Sequence, residues 1–250
     1  MCTVSFIARK NGYALAMNRD EKLTRAAGLP PKIRKVDDQE VLYPSEPGGG
    51  TWIALNDTGV TMALINWHSI KAQVKVNAVS RGEVVNAVKT ASGKDLVVSA
   101  LTKLPLTRIN PFRLIGVFPA GEIYEWRWNL KRLVCKKHLW KPRQWISSGF
   151  DEAKAQRMRS ATFKLMQKKR RISGRGWLRD LHSSHAPGCG PFSTCMHRND
   201  AATVSCTEIS ICSQQATMRY HPGAPCSALK NCVRHLRLQK PRPQSSKVIC

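Results

Sequence analysis

A chain of 250 residues with 42 % apolar side chains and seven tryptophans is long and apolar enough to fold around a core, which excludes a disordered polymer. Lys and Arg total 41 against 16 Asp and Glu, a formal charge of +25 that invites an anionic partner. The basic residues are scattered, densest at Lys168-Lys169-Arg170-Arg171 and from Lys230 to Lys247, and no zinc-finger, RNP or basic-zipper pattern stands beside them. No specific nucleic-acid partner is therefore expected.

In chain order, Thr3 to Ala8 and Tyr13 to Met17 are rich in strand formers and meet at Lys10-Asn11-Gly12, which predicts a β-hairpin closed at Asn-Gly. Residues 28–50 are rich in Pro and Gly and read as loop, with one short strand around Val41 to Tyr43. Thr51 to Leu55 and Val60 to Asn66 form a second hairpin, apolar enough to be central in a sheet. Ser80 is a candidate N-cap for a short helix carrying Val84, Val85 and Val88, and Lys94 to Leu104 forms a second.

Strands return at Arg113 to Phe118, Glu122 to Trp128 and Leu130 to Lys136. Asp151 then caps a basic helix reaching about Lys169. A short helix near Trp177 to Leu181 is followed by strands near Ser193 to His197, Thr203 to Ile211 and Ala216 to Tyr220. From Ser227 the composition turns to Lys, Arg, Pro and Ser, so residues 227–250 read as a basic, disordered tail after a domain of residues 1–226. Strands and helices come in blocks, which fits an α+β fold: a four-layer αββα sandwich of two antiparallel sheets between helix layers. Strict strand–helix alternation, needed for a doubly wound parallel sheet, is missing.

Of nine cysteines, Cys2 and Cys135 are alone in the first 188 residues and seven crowd the last quarter. The N-terminus lacks the charged and apolar regions of a secretion signal, and no stretch has the length of a transmembrane segment. A reducing, cytoplasmic setting is the expectation. His182, His185, Cys189, Cys195 and His197 fall within sixteen residues, a grouping able to ligate zinc or haem iron. Paired CxxC knuckles are absent, and buried thiols with loop histidines are the commoner cause of such a cluster, so no metal is assigned.

Several motifs recur in a family-like order: Met1-Cys2-Thr3, Ala16-Met17-Asn18-Arg19-Asp20-Glu21, Gly48-Gly49-Gly50-Thr51-Trp52, and Ala63-Leu64-Ile65-Asn66 after Gly59. Ser80-Arg81-Gly82, Ser147-Ser148-Gly149 and the segment Tyr220 to Cys226 add to them. Over residues 2–226 this set resembles the NRDE family, also called the transport and Golgi organisation 2 family, whose fold is similar to that of the N-terminal-nucleophile hydrolases. The resemblance implies Cys2 as nucleophile, Arg19 and Asp20 as charges orienting its thiol and α-amine, and Asn66 as an oxyanion donor. In the related bile-salt and penicillin V acylases, a Cys, an Arg, an Asp and an Asn hold comparable places. Arg198 and Asn199 are the nearest candidates for those enzymes' later polar residues.

The chemistry has its own logic. Removing Met1 would leave Cys2 with a thiol and a free α-amine on one residue. That amine, with a pKa of about 7.7–8.0, can act as base toward the thiol. A nearby Arg would favour the thiolate. The partner expected is a small-molecule amide or acyl ligand, with no cofactor. The alternative implied by the resemblance is a non-catalytic carrier or trafficking factor for haem or an acyl lipid on the same fold. Each residue also has a plain structural role open to it: Cys2 as a small terminal residue, Arg19 and Asp20 as an ion pair, Asn66 as a turn residue.

Overall fold

The computed structural model describes residues 2–169, 175–227 and 230–239. Met1 and its removal, Arg170-Arg171 of the basic cluster, and the tail from residue 240 lie outside the described residues.

The chain opens with β1 (Cys2–Arg9) and β2 (Gly12–Lys22), joined by a two-residue turn at Lys10-Asn11. Gly12 is required there. Its φ is +139°, and a Cβ would lie 2.4 Å from the Ile211 carbonyl oxygen. β3 (Leu29–Val36), β4 (Gln39–Ser45), β5 (Ile53–Asn56) and β6 (Thr61–Asn66) follow. Helices α1 (Gly82–Val88) and α2 (Lys94–Thr102) then precede β7 (Phe112–Phe118), β8 (Glu122–Trp128), β9 (Leu133–His138) and β10 (Arg143–Ser147). The last part holds α3 (Glu152–Lys169), α4 (Arg175–His182), β11 (Ala201–Cys212), β12 (Gln215–Pro222) and β13 (Cys232–Arg237).

These elements form two antiparallel sheets, ordered β10-β1-β2-β11-β12-β13 and β3-β4-β5-β6-β7-β8-β9. The expected α+β sandwich of two antiparallel sheets is therefore the observed one. Period-two alternation sorts each strand between two layers. Val4, Phe6, Tyr13, Leu15 and Met17 meet Leu42, Ile53, Leu55, Ile65 and Ile115 in the core between the sheets. The opposite face of β1 and β2 gives Ile7, Ala14 and Ala16 to α3 and α4 through Phe163, Trp177, Leu178 and Leu181. On the outer face of the second sheet, Val84, Val85, Val88, Val97 and Leu101 of α1 and α2 cover Met62, Leu64, Leu114 and Trp126.

Several expectations are corrected. Residues 29–36, read as loop for their prolines, form edge strand β3. An edge strand has only one neighbour to pair with, and the ladder is interrupted where Pro30 and Pro31 sit, shifting register between Leu29 and Lys32. β9 starts at Leu133 rather than Leu130, because Leu130 takes φ +74° in the turn. β10 has no alternation to announce it; it pairs with β1 through Cys2↔Ser147. Ser193 to His197 is not a strand but a loop with one bridge, His197↔Ala202.

The largest correction concerns the tail. Within residues 227–250, Cys232–Arg237 is no tail but the sheet edge beside β12, with Leu236 buried. A single inward Leu and a ladder of backbone hydrogen bonds suffice for a short edge strand, which composition alone cannot reveal.

β11 carries a bulge: Thr203 pairs with Asp20 and Ser205 with Arg19, leaving Val204 extra. Its carbonyl accepts from the Gly223 amide at 2.8 Å. The extra residue reverses which face the preceding side chains address.

Candidate active site

The hairpin register places Arg19 directly opposite Cys2. Both continue the series that faces the second sheet, and both line a cavity of about 330 Å³. Its walls come from element ends: Arg19 and Glu21 from β2, Thr51 and Trp52 before β5, Leu64 and Asn66 at the end of β6, and Ser80 to Gly82 at the start of α1. Gly82 lets that last segment come close, since a Cβ there would stand 2.8 Å from Gly50 Cα. The segment before α1 is fixed from behind, where Val74 N–H donates to Asn110 Oδ1 at 2.8 Å and Val79 N–H to the Arg108 carbonyl at 2.8 Å.

Charge in the cavity is organised around Arg19. Its Nη2 lies 2.6 Å from Glu46 Oε1 and 3.8 Å from Glu21, and its guanidinium sits 4.5 Å above the Trp52 ring. Arg25, more exposed, joins the same two carboxylates at 2.9 and 2.8 Å. Burial alone would raise the Glu21 carboxyl. The Lys22 amide and the charges of Arg25 and Arg19 hold it below its ordinary value.

Arg81 differs. Nη1 donates to the Pro111 carbonyl at 3.4 Å, and no carboxylate among the described residues pairs with it. Burial lowers its pKa, while the charges of Cys2 and Glu21 act the other way.

The Cys2 thiol is pushed above its ordinary value by burial, and the Asp20 charge adds to this. Arg19 and a backbone hydrogen bond from Asp20 oppose it. Arg19 acts in the expected direction, toward the thiolate, but burial outweighs it. Much of the Arg19 charge is directed at Glu46. Asn66 brings its side-chain amide to the cavity with no hydrogen-bond partner among the described residues.

Asp20 lies elsewhere. One residue past Arg19, its carboxylate points into the layer between β2 and α3. There Arg159 Nη1 donates to Oδ2 at 3.1 Å and Thr203 Oγ1 to Oδ1 at 2.7 Å. Arg159 is wholly buried and also donates to Thr3 Oγ1 at 2.6 Å. Cys2, Arg19 and Asn66 therefore share the cavity, and Asp20 supports it from behind. Arg198 is bound to Asp200 at 2.8 Å, outside the cavity lining.

Sequence reasoning missed Arg159, Arg81, Glu46 and Arg25. The available signal for Arg159 was a charge at an inward position of α3, in line with Ala155 and Phe163. For Arg81 it was membership of the Ser80-Arg81-Gly82 motif.

The grouping of His and Cys also differs from expectation. His182 turns inward, its Nε2 2.9 Å from Ser5 Oγ, and burial lowers its pKa to about 3. His185, Cys195 and His197 do converge, joined by Cys226 instead of Cys189.

Two stacked antiparallel sheets between helix layers, with a cysteine leading the first strand into a cavity at the sandwich end, define an N-terminal-nucleophile-hydrolase fold. Solved structures similar to this chain include penicillin V acylase from Agrobacterium tumefaciens, with TM-score 0.57 and 12 % identity over 95 % of this chain and 86 % of that one. A mutant of the conjugated bile acid hydrolase from Clostridium perfringens matches with TM-score 0.57 and 10 % identity over 95 % and 92 %. The chain belongs to the Transport and Golgi organisation 2 family, whose model matches residues 1–170. No curated protein matches it in sequence. No helix among the described residues is long and apolar enough to cross a membrane.

Proposed function

We propose that this chain cleaves a small amide or acyl substrate with Cys2 as nucleophile. The observation that carries this is the convergence of Cys2, Arg19 and Asn66, from β1, β2 and β6, on one cavity, with the Asn66 amide unengaged among the described residues. Once Met1 is removed, the Cys2 α-amine takes the thiol proton as sulfur bonds to the substrate carbonyl carbon. The carbonyl π pair moves to oxygen, where the Asn66 amide donates to it. Collapse expels the amine, which leaves with that proton, and gives a thioester. Water then attacks the thioester, releasing the acid and the thiol. Arg81, a half-buried cation without a carboxylate partner among the described residues, is suited to hold an anionic end of the substrate. Asp20, through its backbone and the Arg159 layer, positions the start of β1.

The test uses full-length protein whose mature N-terminus has been established by intact mass. A panel of N-acyl amino acids is offered, and acyl-enzyme mass and released amine are followed. Cys2→Ala should abolish both. Asn66→Ala should lower turnover by about 10²–10³ while leaving the fold intact. Retention of Met1 on most molecules would sink the autobase mechanism. Stoichiometric, turnover-free binding of haem or an acyl lipid that protects Cys2 from alkylation would instead favour the carrier.

A further inference from the structure

Four side chains from two separate segments meet at one point outside the Cys2 cavity. His185, Cys195 and His197 belong to residues 183–200, which join α4 to β11 with no helix or strand of their own. Cys226 lies in the turn after β12. One donor atom from each lies within 4.8 Å of all the others.

The individual separations are informative. His197 Nε2 is 3.2 Å from His185 Nε2, 3.5 Å from Cys195 Sγ and 3.4 Å from Cys226 Sγ. One ring nitrogen has a single proton or a single lone pair, so it cannot serve three such neighbours by hydrogen bonding. A shared cation explains all three contacts at once. For tetrahedral zinc, with Zn–S of about 2.3 Å and Zn–N of about 2.0–2.1 Å, neighbouring ligand atoms stand about 3.3 Å apart for N–N and about 3.5 Å for N–S. The three edges at His197 match those lengths within about 0.2 Å.

We propose that His185, Cys195, His197 and Cys226 form a structural Cys₂His₂ zinc site. With four protein ligands the shell is closed, so the ion serves architecture and not the chemistry at Cys2. Binding breaks two S–H bonds, forms two Zn–S and two Zn–N bonds and releases two protons, leaving a site of zero net charge within a strongly basic chain. Four donors converging on one point leave no equatorial plane for a porphyrin, which separates this site from the haem ligation that sequence spacing allowed.

The consequence is a clamp. Cys195 N–H donates to the Ser184 carbonyl at 3.0 Å and His197 N–H to the Gly190 carbonyl at 3.2 Å. Side chains of the first sheet and α3 hold it as well: Asn18 Nδ2 donates to the Thr194 carbonyl at 2.9 Å and Arg159 Nη2 to the Pro191 carbonyl at 3.3 Å. The ion would tie it to the turn after β12, and Met196 would carry that order to Thr203 and so to Asp20: Thr203 N–H donates to the Met196 carbonyl at 2.8 Å.

Full-length protein, expressed with zinc and purified under reducing conditions without chelator, should carry about one zinc per chain by elemental mass spectrometry. Cys195→Ser and Cys226→Ser should each lose it, whereas Cys189→Ser and Cys2→Ser keep it; the last separates this site from the proposed catalytic one. Should those variants fold poorly, cobalt(II) added to the zinc-depleted wild-type chain supplies an independent measure. Intense visible bands of tetrahedral cobalt with thiolate charge transfer support the site. Absence of both bound zinc and the cobalt bands overturns it, as does zinc retained by Cys226→Ser. So does an intact mass lower by two hydrogens that maps to a Cys195–Cys226 disulfide in the purified chain.

Discussion

Arg19 stands directly across from Cys2 in the β1–β2 ladder, yet its guanidinium is drawn to within 2.6 Å of Glu46. The cation beside the thiol is thus largely balanced within the protein itself. Glu46→Gln should release it and speed alkylation of Cys2 by limiting iodoacetamide at neutral pH. Arg19→Ala should slow that reaction. Each change should be about threefold, the size of a partly screened charge interaction worth under about 1 kcal/mol. Equal rates in wild type and both variants would remove Arg19 from any role in tuning the thiol.

Arg159 and Asp20 form a buried ion pair behind the site. Arg159→Leu leaves the carboxylate in the β2–α3 layer without its cation, at a cost of about 3–5 kcal/mol. For a chain of this size the Tm should fall on the order of 10 °C. The double variant Asp20→Asn with Arg159→Leu should recover at least half of that loss, because no buried charge remains. Thermal melts of the three proteins decide the matter; a single Arg159→Leu variant as stable as wild type would contradict a structural ion pair.

Acid should unfold the protein through Glu125 and Glu208. Burial alone would raise both carboxyls. Arg127 and Arg113 around Glu125, and His221 and Arg179 around Glu208, outweigh it and lower each from the ordinary 4.5 to about 2. The unfolded chain therefore binds more protons than the folded one in this range. Their stabilisation is complete above about pH 4.5 and is lost as pH falls toward 2. Urea midpoints measured from pH 6 downward should drop across that window, and Glu125→Gln should flatten the drop. A midpoint independent of pH there would show that neither carboxylate is held by its partners.

β13 should matter for stability. Leu236 is buried, Leu238 packs on the inter-sheet core, and the Gln239 amide donates to the Asp57 carbonyl at 2.7 Å. A chain ending at Asn231 loses all three and keeps Cys226. Relative to a chain ending at Gln239, it should lose about 3 kcal/mol from the two leucines and about 6–12 °C in Tm. Matching melting curves would return residues 232–239 to the status of a tail.

The pairing of Cys2 with Arg19 was legible because a two-residue turn leaves no freedom in the hairpin: once Arg9 faces Gly12, every pair follows. The same alternation sends Asp20 to the opposite layer from Arg19. Strand adjacency suggested that both charges flank the nucleophile, whereas parity gives them different surroundings. Asn66 was readable as a strand end. Its neighbours Arg81 and Glu46 were not, because they reach the cavity from loops whose path depends on the Gly50–Gly82 approach. The central strands were clear from apolar runs. β3, β10 and β13, all at or beside sheet edges, were hidden because edge strands need little inward apolar surface. Cys226 could not be joined to His197 from spacing, since the turn carrying it is brought over only by the β11–β12 hairpin.

The bulge at Val204 gives β11 two independent phases. Downstream, Ile209 and Ile211 obey the alternation of the inter-sheet core; upstream, Thr203 obeys that of Asp20. Deleting Val204 would make Thr203 and Ser205 consecutive, removing the bulge while keeping Thr203 opposite Asp20, Ser205 opposite Arg19 and every core isoleucine in place. The extra residue is thus absorbed at one point, held through its carbonyl by the Gly223 amide, and neither the segment serving Asp20 nor the strand that holds the sandwich together is re-registered.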